Sequence, residues 1–223
     1  TPTLLIVVIG MAALVLVNDR AVKTAFTQVE GQAMALLGQS LTKDVTGRLA
    51  ANLKLLSSFA KTPALIRAAQ GQGAEAASEV LSNFVKGLDG VDYANVFDAS
   101  GLCLASTNPA AVGKVNVADR DYFAAVMNAG KADVVSKALV SRTTGKAAVV
   151  LAQPIRDAAG KLVGLVNAGM DLESLTADLS AIKVGVTGYA FILDGQGMAL
   201  AHPDKNLLMK DELGRSEAGR RVL

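Results

Sequence analysis

Histidine, cysteine and tryptophan are nearly missing from these 223 residues, which hold one His, one Cys and no Trp. A lone cysteine, Cys103, permits neither an internal disulfide nor a cysteine-based zinc site. It stands in an apolar alternating run, which predicts a buried and unreactive thiol. With His202 as the single histidine, metal binding is not expected, because only Asp204 lies near it at a suitable spacing and histidine metal sites take several ligands. Nor does a G-x-S-x-G turn accompany it, so the usual serine–histidine hydrolysis has no scaffold. His202 is expected at a half-exposed strand end. Charge of one sign is also lacking: 22 basic and 20 acidic side chains are scattered through the chain for a net +2. No basic run interleaved with aromatics occurs, so nucleic acid is not an expected partner. The chain has no dinucleotide-type glycine signature. The run Ser141-Arg-Thr-Thr-Gly145-Lys146 only imitates a phosphate loop, with Val140 and Ala147 where glycine and a magnesium-holding hydroxyl belong. No enzyme and no cofactor are expected.

What the chain does have is 51% apolar residues, ample for a buried core. Residues 1–18 are uncharged and Leu4 to Val17 is wholly apolar. That is short of the ~20 residues that cross a bilayer, but the chain starts at Thr1, so it is expected to be the outer end of a transmembrane helix. From Asp19 to Lys61 there is no proline, and apolar residues recur at steps of three and four from Val22 through Leu41, Leu49 and Leu56 to Ala60. This predicts a long stalk or dimer helix over 19–62. Pro63 stops it, with Thr62 biased out of helical geometry.

A shorter helical pattern (Val80, Leu81, Phe84, Val85, Leu88) then gives way to strand-like alternation. Hairpins are predicted where Asp and Gly stand three apart: Asp98-Ala-Ser-Gly101, Asp157-Ala-Ala-Gly160 and Asp194-Gly-Gln-Gly197. Asp can hold the turn backbone, and Gly supplies its positive φ. Strands are expected at Val91–Asp98, Leu102–Ser106, Ala147–Ile155 and Leu162–Met170, with helices at Asp119–Ala129 and Asp171–Ile182. The stretches beginning at Tyr93 and Tyr189 repeat in register, sharing Tyr, Ala, Asp, Gly, Leu and Ala, and His202 corresponds to Ser106. Two related modules in series follow, the second only begun at Leu223. Asp119-Arg-Asp-Tyr-Phe123 places a guanidinium fork and two aromatic rings at a helix start. The fork suits a carboxylate; equally, Asp119 could cap the helix and the rings could belong to the core.

Arg120-x-Tyr122-Phe123, Gly130, Ser136, Thr144-Gly145, Ala152-x-Pro154-Ile155, Asp157-x-x-Gly160, Gly164, Asp171-Leu172-x-x-Leu175 and the run from Gly185-x-Thr187-Gly188-Tyr189 to Ala201-His202-Pro203 resemble a known pattern. In order and spacing over about residues 20 to 210, it is similar to the double Cache extracellular sensor domains of bacterial chemoreceptors and related transmembrane signalling proteins. The resemblance implies an α+β fold: PAS-like antiparallel-sheet modules in series on a long N-terminal helix. The expected layout is 63–178 for the membrane-distal ligand-binding module and 179–223 for the start of the proximal one. It implies a non-enzymatic homodimeric sensor, held in the inner membrane by the N-terminal helix and exposed to the periplasm. A chemotaxis protein is the first expectation, with a histidine kinase, a diguanylate cyclase or a module sensing through a periplasmic binding protein as alternatives. In family members that bind amino acids, the Arg-x-aromatic-aromatic element holds the carboxylate and acidic residues hold the ammonium. This implies roles for Arg120, Tyr122, Phe123 and Asp171, with Ser136, Ser141 and Asn167 as further polar contacts. Ser141 stands where a second acid usually lies, so a small organic acid and an amino acid are both expected ligands.

Overall fold

The computed structural model describes residues 36, 38–88, 90–180 and 189–216. The expected transmembrane segment at 1–18 lies outside them, and among the described residues no helix is long and apolar enough to cross a membrane. The chain divides into two compact units, 1–49 and 50–223. In the first, residues 38–49 are helical, with Leu41, Val45 and Leu49 half-buried at the expected four-residue spacing. The Thr42 and Thr46 hydroxyls donate to the carbonyls of Gly38 and Thr42.

In the second unit residues 50–59 are helical (α1), and Leu56 and Ala60 are buried. Pro63 does end it: Thr62 is extended (φ −73°, ψ 139°) and Pro63 opens α2, Pro63–Ala69. Proline fits there because a first-turn residue needs no N–H partner. Helix α3, Ala74–Lys86, buries Ala77, Leu81 and Phe84 on one face. Among the described residues eight strands follow, interrupted by α4 (Asp121–Met127) and α5 (Leu172–Ser180): β1 Tyr93–Asp98, β2 Cys103–Ser106, β3 Val134–Val135, β4 Leu139–Val140, β5 Ala147–Arg156, β6 Leu162–Asp171, β7 Ile192–Leu193 and β8 Ala199–Ala201. A short helix α6, Glu212–Arg215, is the last element among the described residues.

All strand pairs among the described residues are antiparallel. The main sheet runs β2-β1-β6-β5-β3 with β4 also on β5. Its pleat sorts side chains by alternation. Tyr93, Asn95 and Phe97 of β1 lie opposite Gly169, Asn167 and Leu165 of β6, and Val150 and Ala152 of β5 continue those rows. Phe97, Leu165, Val150 and Ala152 pack with Tyr122, Phe123 and Val126 of α4. The other face meets the early helices: Gln153 reaches the Leu53 carbonyl, and the open side of Gly164 faces Ala69 of α2. Fully burying a ring such as Phe97 contributes roughly 2 kcal/mol.

The three predicted turns form alike. In each, the aspartate carbonyl accepts from the glycine N–H (2.9–3.1 Å), its Oδ1 accepts two further backbone N–H groups, and the glycine has φ near +80°. The repeat extends beyond what the residues alone suggest. Asn108 N–H donates to Ser106 Oγ and Asp204 N–H donates to His202 Nδ1, both 2.9 Å, and a 3-10 turn follows each. His202 departs from expectation. It is 4% exposed, boxed by the rings of Tyr189 (5.0 Å) and Phe191 (6.1 Å). Helix α4 also starts two residues later than expected, with Arg120 as N-cap and no side-chain cap.

Candidate ligand-binding site

The β1 and β6 rows that face α4 end in polar residues. At Tyr93 and Gly169 the ring crosses the partner strand where a side chain is missing: a Cβ on Gly169 would overlap the Tyr93 ring. Next in the row, Asn95 Nδ2 donates to Asn167 Oδ1 (2.9 Å) and to Thr143 Oγ1 (3.1 Å), and Ser106 Oγ donates to Asn95 Oδ1 (2.6 Å). Asn167 reaches the Tyr122 hydroxyl at 3.4 Å. The amide ladder is buried and hydrogen-bonded throughout, as buried polar groups must be.

The run that only imitates a phosphate loop closes this row. Ser141 Oγ accepts from the Thr143 and Thr144 N–H groups, and Gly145 N–H donates to the Ser141 carbonyl (2.8 Å). Asn108 Nδ2 donates to the Thr143 carbonyl (2.8 Å), tying the loop down as a strap. Arg142 forks onto Asp119 (2.6 and 2.8 Å) and also reaches the Asn116 carbonyl (2.6 Å). Asp119, held by Arg142, has its carboxyl lowered to about 2. Beneath the strap lies a cavity of about 10 Å³ lined by Tyr93, Arg120, Tyr122, Ser141, Arg142 and Asn167, with other strap and core residues, room for one water.

Arg120 donates to the Val140 carbonyl (2.9 Å) and forms no ion pair among the described residues. Starting α4 at Asp121 leaves Arg120 extended (φ −86°, ψ 140°) and turned to the strap. Burial raises the Tyr93 hydroxyl to about 12 and also raises that of Tyr122, so both stay neutral donors. Asp171, at the end of β6, is 3% exposed. Its Oδ2 lies 3.2 Å from Lys146 Nζ, whereas its Oδ1 is buried and unpartnered. Burial raises its carboxyl above the ordinary value, Lys146 opposes this and Asp92 adds to it.

Four expected residues, Arg120, Tyr122, Ser141 and Asn167, thus meet at one cavity. Asp171 lies beside it, its charge acting on the Tyr93 hydroxyl. Phe123 packs into the core beside Tyr122 but is not among the residues that line the cavity. Ser136 is outside the cavity lining: its hydroxyl serves the edge pairing, accepting from Val150 N–H and donating to the Lys137 carbonyl. Tyr93, Asn95, Arg142 and Thr143 are additions that sequence reasoning missed. Tyr93 stands in plain view as the first residue of the repeat, and Arg142 and Thr143 lie within the loop-like run.

Two guanidinium groups, one of them without an acid partner among the described residues, and two neutral phenols line a strapped cavity in an α+β module, with the buried Asp171 carboxylate close by. The chain belongs to the Cache domain family, whose model matches residues 20–222; this is a family of sensor domains, not of enzymes. It is 24% identical over 210 residues to the methyl-accepting chemotaxis protein PscA of Pseudomonas syringae pv. tomato, covering 93% of this chain and 32% of PscA. With McpG of Pseudomonas putida it shares 25% over 210 residues, covering 92% and 31%. The chain thus spans about a third of the length of the curated relatives it matches. The ligand-binding domain of the Pseudomonas fluorescens chemoreceptor CtaA, solved with L-isoleucine, has the same fold: TM-score 0.64, 20% identity, 84% of this chain and 74% of that one.

Proposed function

We propose that the chain is the periplasmic sensor region of an inner-membrane chemotaxis receptor, and that its first module, 63–178, binds a small carboxylate-bearing metabolite under the 141–146 strap. One observation carries this reading: Arg120, half-buried at the cavity, has a guanidinium with a single backbone partner and no acid among the described residues. A fork so placed is matched to a carboxylate. Tyr93 and Tyr122 supply flanking hydroxyls, and Asp171 Oδ1, buried without a partner, suits an ammonium group if the ligand carries one. CtaA and the relatives named above support the receptor assignment. A one-water cavity must open to admit any metabolite. Re-closure of the strap over the ligand would bias the module between two arrangements, the form in which a signal passes to α1.

Thermal-shift screening of organic acids and amino acids is expected to find stabilising ligands, with a gain of about 2.7 kcal/mol at a hundredfold excess over Kd. Arg120→Ala should abolish the shift; a hit that survives it would sink the pocket assignment.

A further inference from the structure

The charge lining the cavity is one-sided. Its charged residues are Arg120 and Arg142, and among the described residues no carboxylate lines it. The nearby buried acid, Asp171, already faces the Lys146 ammonium at 3.2 Å. One guanidinium meets one carboxylate, so the second calls for an explanation.

Arg142 is built as a receiver. Asn116 fixes one guanidinium nitrogen through its backbone carbonyl, and the strap that carries Arg142 is pinned by Thr143 to Asn95 and Asn108. The fork is presented in two-point geometry, the arrangement that recognises a planar carboxylate. Its present occupant, Asp119, comes from this chain and is 65% exposed on its side chain. Exposed ion pairs are weak and exchange easily. Asp119 and Asn116 together take three hydrogen bonds from Arg142, leaving two of a guanidinium's five N–H donors. Arg142 also belongs to the strap that must yield, since the one-water volume fits no metabolite until the strap lifts.

We propose that Arg142 is a specificity residue that receives a second acidic group, so that the site prefers dicarboxylates, with Asp119 holding the fork until a ligand arrives. This rests on the carboxylate-binding role given to Arg120. The ligand sets one carboxylate on Arg120 and the other on Arg142, either displacing Asp119 or using the two free N–H donors. A neutral amide in the second position loses the charge-assisted half of that contact.

The test is titration calorimetry of the 223-residue chain with two pairs that differ in that one group, L-glutamate against L-glutamine and succinate against succinamate. The dicarboxylate of at least one pair should bind about tenfold or more tighter, a difference of about 1.4 kcal/mol. Arg142→Gln should bring it down to its amide partner without altering the amide. Asp119→Asn, which frees the fork, should raise dicarboxylate affinity alone, giving a second variant should Arg142→Gln fold poorly. Equal affinities within both pairs, or equal losses of acid and amide in Arg142→Gln, would overturn the proposal while leaving the Arg120 site intact. Binding that persists in Arg120→Ala overturns the underlying reading, and no binding by any of the four compounds overturns the preference.

Discussion

Asp171 carries a cost that its surroundings do not remove. Burial raises its carboxyl above the ordinary range, Asp92 reinforces this, and Lys146 only partly offsets it. The folded state therefore holds the proton more tightly than the unfolded chain. The stability this gives is complete below the unfolded value of about 4 and declines as pH rises through the raised folded value. Asp171→Asn is expected to raise the thermal midpoint at pH 7 by a few degrees, and the gain should vanish below about pH 4. Calorimetry across that range checks it; a gain of the same size at every pH would refute the account. The variant should also lose affinity for amine-bearing ligands, the usual trade between a strained site and stability. Cys103 shows the opposite case: it is fully buried, its thiol pushed up to about 12, the inert packing residue its apolar run implied.

Among the elements, β6 does the most to shape the site. It places Asn167 in the amide ladder, ends in Asp171, and leaves Gly169 bare so that the Tyr93 ring can cross it. Gly169→Ala would put a methyl group into that ring. Overpacking of this kind costs typically about 1–3 kcal/mol, and relief requires Tyr93 to swing out of the cavity. The expected result is a lower denaturant midpoint together with weaker ligand binding; loss of stability with full affinity would show that Tyr93 is not part of the site. The neighbouring strap explains why part of the site was hidden in the sequence. Ser141 to Lys146 has no periodicity, and its resemblance to a phosphate loop fails at two positions. Its role comes from hydrogen bonds to Asn95, Asn108 and Asn116, none of which is close to it along the chain.

Across the whole molecule, every described core residue lies at Asn52 or later, inside the unit that begins at Ala50. A fragment of residues 50–223 is therefore expected to keep the thermal midpoint of the full chain, and its ligand shift, in side-by-side scanning calorimetry. A fall of more than about 4 °C, on the order of 1 kcal/mol for this size, would mean that residues 1–49 contribute to the fold. Within that unit, Glu173 of α5 pairs with Lys205 of the second repeat (3.0 Å) and lies 3.7 Å from Lys146. A line of charges thus runs from Asp171 to the second repeat.

The short elements α2, β3, β4 and α6 were not legible along the chain, whereas the longer strands and helices, the three aspartate–glycine turns, the break at Pro63 and the internal repeat were. They depend on local periodicity and turn chemistry, which act over a few residues. So was the α+β class, and so was Arg120 as a candidate, because a fork beside two aromatics is a local pattern. Cross-strand register and the closure of the strap set the rest: Tyr93 lies over Gly169, Asn95 pairs with Asn167, and Arg142 reaches back to Asp119. The same packing turned Phe123 into the core and buried His202 between two rings. Such pairings join residues far apart in sequence, and they exist only once the sheet has closed and the strap has been tied across it.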